Sequence, residues 1–205
     1  MPGPHYALSE LLLFAFSIYA VFFFFKNRNF FAFCGIIVVG ITAIIASWRF
    51  GLNQIAELKN LHQIFTQLSF LFAIPLISTE IILKSGRIAN GTNALEFKVG
   101  FLASMLLSLL AFFNLLYPFS TLFILNPSFI AFTFLIAGLI FSFLIPRDRL
   151  TYNIISGLVF SIILINILAN QFRIIDDDSI RFHVYHIVLA IWVYLLTKLI
   201  NKKRS

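Results

Sequence analysis

The chain has 205 residues, 60% of them hydrophobic and only 11% charged, with a mean hydropathy of +0.98. A water-soluble domain carries about 25% charged residues, and one of this length leaves too much surface exposed to hide so much apolar side chain. The net charge of +7 gathers in the connectors between long uncharged runs, so it reads as membrane topology rather than as a nucleic-acid surface.

A membrane span needs roughly 17–25 mainly apolar residues. Seven segments satisfy this: about 6–25, 30–47, 61–83, 99–117, 124–145, 150–169 and 180–200. The expected fold is all-α, a single seven-helix transmembrane domain over residues 1–205 in an inner or plasma membrane. The first span lacks a basic leader and a small-residue cleavage site, which predicts a retained helix rather than a removed signal peptide. Cys34 is the only cysteine and sits inside the second apolar run, so no internal disulfide is available and it reads as a small hydrophobe. Glu80 and Lys84 stand four apart near the end of the third span and predict a surface ion pair. Asn90-Gly-Thr matches a glycosylation acceptor but falls on the expected inner side. Pro127 marks where the fifth span starts or kinks.

Orientation follows from the basic residues. Lys26, Arg28, Lys84, Arg87, Lys98, Arg147, Arg149, Lys198, Lys202, Lys203 and Arg204 lie on one side, and only Arg49, Lys59, Arg173 and Arg181 lie on the other. Positive charge marks the cytoplasmic side, which places the N-terminus outside and the C-terminus in the cytoplasm.

All four histidines, His5, His62, His183 and His186, then fall on the outer side, together with Glu10, Glu57 and the run Asp176–Asp178. His183, His186, Ala190, Tyr194 and Thr197 form one stripe of the last span, and His62, Thr66, Ser69 and Ala73 form one of the third. Stripes of small and polar residues serve helix packing, because lipid offers polar groups no partners. The histidines have two readings. In one, their rings and Trp48 and Tyr185 rest at the membrane interface, with Asp178 or Ser179 capping the last helix. In the other, His183 and His186, three apart on one face, join His62 as ligands of a zinc ion, each at about 2.0–2.1 Å. Glu10 or Asp178 would then act as general base or orient an imidazole.

Seven spans with histidines opening the third and the last are similar to a superfamily of intramembrane hydrolases, often called CREST, that includes the alkaline ceramidases and adiponectin receptors. That resemblance implies zinc held by His62, His183 and His186, and hydrolysis of a lipid-like amide or ester. The last pair here is His183-Val-Tyr-His186, where the family uses HxxxH, and Leu58 stands where the family has serine. Bacterial seven-span proteins with polar outer ends are equally similar. The alternative function is non-enzymatic: a small-molecule binder or carrier, or an assembly partner, with membrane lipids as its surroundings and no nucleic acid. A retinal protein is excluded, because the middle of the last span, "IVLAIWVYLL", has no lysine. Charge-poor span centres argue against an ion-coupled transporter.

Overall fold

The computed structural model describes residues 3–84, 127–143 and 150–200, with side chains over 3–81, 132–140 and 161–200. These residues form helices and no strand. The helices are α1 (Tyr6–Lys26), α2 (Phe30–Gly51), α3 (Lys59–Leu68), a π-helical turn (Ser69–Ala73), α4 (Ile74–Lys84), α5 (Pro127–Phe143), α6 (Leu150–Gln171) and α7 (Asp178–Ile200). The fourth expected span, 99–117, and the Asn90 acceptor lie outside the described residues. Among the described residues four helices are long and apolar enough to cross a membrane: Tyr6–Lys26, Phe30–Gly51, Lys59–Ile81 and Asp178–Ile200.

The distribution of side chains is that of a membrane protein. Leu8, Phe22, Phe25 and Ile165 are exposed, while Ser9, Glu10, Ser17, Thr79, Glu80 and Thr197 are buried. In water that arrangement would be costly on both counts, but in lipid an outward phenylalanine matches its solvent and an inward polar group finds its partners.

The described helices close into a ring. α1 packs on α2 and α7, α2 on α3, the π turn and α4, α4 on α5, α5 on α6, and α6 on α7. The main core joins Leu13, Phe24, Ile36, Ile77, Leu135, Ile163 and Leu196. Small residues set the closest approaches. A Cβ on Gly35 would lie 2.9 Å from the Ala73 carbonyl oxygen and 2.9 Å from Ile77 Cγ1, and one on Gly40 would lie 3.3 Å from Ser17 Cβ. With lipid outside, such packing rather than a hydrophobic driving force holds the helices together.

Helix ends show how the chain turns. α1 closes with Arg28 in the left-handed region (φ 56°) and Asn29 N–H donating to the Phe24 carbonyl five residues back, a Schellman closure without glycine. α6 closes the same way through Arg173 (φ 50°) and the bond from Ile174 N–H to the Ala169 carbonyl. At the start of α7 the cap is Asp177 rather than Asp178 or Ser179: its Oδ1 accepts from Ser179 N–H and Ile180 N–H, each at 2.8 Å. Asp178 instead pairs with Arg181. Glu80 is buried rather than at the surface, and its Oε2 accepts the Phe31 N–H at 3.1 Å at the open N-terminus of α2; the Lys84 side chain expected to pair with it lies outside the described residues.

Proline explains the π turn. Pro75 has no N–H, and its ring would collide with the carbonyl four residues back in a regular α-helix. The turn before it widens, and Ile74 N–H reaches back five residues to the Ser69 carbonyl. The third span is thus one rod in two sections, α3 and α4, rotated relative to each other by the wide turn.

Candidate functional site

α1, α6 and α7 meet α2 and α3 at one end of the ring, and this end carries the four histidines. Tyr6, Phe50 and Phe182 stack here with ring centroids 4.4–5.5 Å apart. His5 and His183 lie 5.5 Å apart by centroid, Phe50 and His62 6.3 Å, and Phe182 and His186 4.1 Å.

Below this aromatic layer is a cavity of about 350 Å³. Its polar end is made by Glu10, His62, Tyr185 and His186, with Thr66 and Asn170 beside them. Its deeper walls are Leu13, Val39, Ile77, Ile163, Trp192 and Val193. Each contributing helix places its polar residue toward the histidine end and its apolar residues further in. Phe70, from the π turn, lines the wall as well. Across the gap, the Thr42 and Ser69 hydroxyls lie 2.8 Å apart and both reach the Phe65 carbonyl, which pins α2 to α3 where the turn begins.

The centre of the polar end is a buried acid. Glu10 is 2% exposed, and its Oε1 lies 3.0 Å from His186 Nε2. That is ion-pair distance, although the carboxyl is turned off the line of a hydrogen bond. The other nitrogen fixes the protonation logic. His186 Nδ1 is 2.8 Å from the Phe182 carbonyl oxygen, which only accepts, so Nδ1 carries a proton. Nε2 then meets Glu10 either as an imidazolium N–H facing a carboxylate or as a lone pair facing a protonated carboxyl. Either arrangement leaves the pair without net charge.

His62 is held differently. Arg49 Nη1 lies 3.1 Å from its Nδ1, while Arg49 Nε donates to the Ile55 carbonyl at 3.1 Å. Arginine only donates, so Nδ1 accepts and the His62 proton sits on Nε2, toward Thr66 Oγ1 at 3.5 Å. Thr66 gives its own proton to the His62 carbonyl. His62 therefore offers an N–H that its neighbour engages only weakly.

His183 points elsewhere. Its Nδ1 lies 3.0 Å from Ser9 Oγ, and Ser9 donates to the Tyr6 carbonyl, so the histidine is the donor. His5 Nε2 lies 3.0 Å from Ser179 Oγ, tying the start of α1 to the start of α7. The structure thus brings Glu10, His62 and His186 to one cavity, turns His183 of α7 against Ser9 of α1, and leaves Asp178 at the exposed start of α7. Residues three apart on a helix differ by about 60° in direction, enough for His186 to line the cavity while His183 does not. Among the described residues no group of three or more His, Cys, Asp or Glu side chains is gathered to hold a metal ion.

Sequence reading passed over Arg49 and assigned Tyr185 to the interface. An arginine in the last turn of an otherwise apolar helix, level with a histidine on the next one, was the available signal for Arg49. Nothing in the sequence marks Tyr185 as a wall residue, because polar and apolar residues alternate around it without a clear face.

No family model, no curated protein and no solved structure matches this chain.

Proposed function

We propose that this is a multi-pass protein of the inner or plasma membrane, N-terminus outside, that binds a lipid-like amphiphile in the cavity at its outer end. The observation that carries the reading is the division of the cavity: Glu10, His62, Tyr185 and His186 at one end, and Leu13, Val39, Ile77, Ile163 and Val193 deeper in. An apolar chamber with a few convergent polar groups is the usual form of a small-molecule site, and buried ionisable groups within membrane helices mark function more often than structure. Native mass spectrometry of the protein released from membranes tests it. A bound amphiphile that is lost on Ala43→Phe, which fills the cavity, supports the reading. A protein that emerges empty, and stays empty when incubated with single-chain amphiphiles, refutes it. Cysteine labelling from either side at Ser179→Cys and Lys26→Cys, in a Cys34→Ser background, tests the orientation.

A second reading, zinc-dependent hydrolysis of a lipid-like amide or ester, is favoured by the convergence of His62, His186 and Glu10 on the same cavity. A three-histidine zinc site requires His183 to leave Ser9, and His62 already gives Nδ1 to Arg49, so as they stand these residues do not fit the ion. Stoichiometric zinc that disappears in both His62→Ala and His183→Ala would establish the hydrolase reading over simple binding.

A further inference from the structure

The size of the cavity and the proton positions around it narrow the ligand. Resting on the binding reading above, we infer that the cavity takes a single-chain amphiphile of about a dozen non-hydrogen atoms with an uncharged, hydrogen-bond-accepting head, such as an alcohol, ester or amide.

Size comes first. A water-sized group occupies roughly 30 Å³, so 350 Å³ accommodates about twelve such groups. Along α7 the lining runs from Phe182 to Val193, about 16 Å at 1.5 Å per residue. This is a slot for one short chain. A two-chain phospholipid is several times too large.

The head follows from the donors. His62 has its proton on Nε2, because Arg49 supplies Nδ1, and Thr66 at 3.5 Å leaves that N–H available. A carbonyl or hydroxyl oxygen is the group it would receive. Charge is selected against from both directions. The Glu10 carboxyl and the His186 imidazole already face each other at 3.0 Å, an acid beside a base, so neither is left to pair with a charged head. A ligand carboxylate would place a second acid beside the buried Glu10, and an ammonium would stand before the His186 imidazole with Arg49 behind His62. A neutral head meets neither opposition.

The test uses the full chain in nanodiscs with Trp48→Phe, so that emission reports on Trp192 in the cavity wall. The probes are straight-chain alcohols from hexanol to hexadecanol, with the acids and amines of the same lengths. The expected result is a response that peaks near decanol to undecanol and falls for longer chains, with the alcohol at least about tenfold tighter than the acid or amine, the size of effect that one mispaired polar group produces. Ala43→Leu should move the optimum shorter by about three carbons, and Val193→Ala longer by about two, as the added or removed volume requires. A response to none of the probes overturns the binding reading itself. Binding whose strength keeps rising with chain length, or an optimum that neither variant moves, overturns the size inference alone. Acids or amines binding as tightly as alcohols overturn the neutral head. Val193→Ala removes volume rather than adding it, so it keeps the size test valid if Ala43→Leu fails to fold.

Discussion

His186 Nε2 stands 3.0 Å from Glu10 Oε1 while His186 Nδ1 is committed to the Phe182 carbonyl. Each nitrogen of that imidazole has a fixed task, and the acid is the only group of the couple with a choice of neighbour. Glu10→Gln keeps the shape and lets an amide N–H face Nε2, so it should leave stability nearly unchanged. Glu10→Ala strands Nε2 in the cavity and should cost about 2 kcal/mol, the penalty for a buried polar atom without its partner. Thermal unfolding of the two variants side by side checks the difference, and ¹⁵N spectra of His186 should show a proton on Nδ1 in both.

Arg49 holds His62 from behind through one nitrogen and the Ile55 carbonyl through another. Lysine carries the same charge without the planar fork and cannot serve both acceptors in this geometry. Arg49→Lys should therefore cost about 1 kcal/mol, toward the low end for a charge-assisted bond because the site is partly exposed. The more telling readout is the His62 tautomer: ¹⁵N shifts should show a single Nε2–H form in the wild type and a mixture in the variant. A single form in both would mean that Arg49 does not set it.

Pro75 imposes the wide turn over Ser69–Ala73. Pro75→Ala supplies the missing N–H and removes the ring, which in a helix interior is worth about 3 kcal/mol. The variant should melt higher than the wild type. Its amphiphile binding should weaken at the same time, because a turn relaxing toward α geometry re-aims Thr66 and His62 relative to Ile77. Higher stability with unchanged binding would show that the π turn does not shape the cavity.

Gly35 and Gly51 make a controlled comparison on one helix. A methyl on Gly35 meets backbone oxygen at 2.9 Å, whereas one on Gly51 meets Ala7 Cβ at an ordinary 3.4 Å. Gly35→Ala should destabilise by about 1–3 kcal/mol through overpacking. Gly51→Ala should be neutral or stabilising by about 0.5 kcal/mol, since alanine loses less backbone entropy than glycine. Unfolding in the same detergent decides both.

The sequence made some of this legible and withheld the rest for physical reasons. Spans appear as uncharged apolar runs because the bilayer demands them, and both ends of α1 and the start of α7 fall within about two residues of those runs, the ordinary spread of helix boundaries. Grouping of the histidines at one end follows from the same alternation. The inward direction of each was not legible. On α7, where polar and apolar residues alternate without a clear face, periodicity cannot distinguish the face toward α1 from the face toward the cavity, so His183 and His186 looked equivalent. Nor was the burial of Glu80 legible, because the Phe31 N–H that it accepts lies 49 positions away in sequence. Pro75 was visible throughout, but a proline in an apolar run signals a kink or a break as readily as a π turn.

The caps also set a difference in height. Glu10 is four residues into α1, about 6 Å from its start, whereas His186 is eight residues into α7, about 12 Å from its start. Since the two side chains touch, α7 stands roughly 6 Å taller than α1 at this end. The projecting turn carries Asp178 and Arg181, with His5 reaching up to Ser179. It forms a charged collar above the Glu10–His186 contact, which therefore sits about two helical turns below the start of α7.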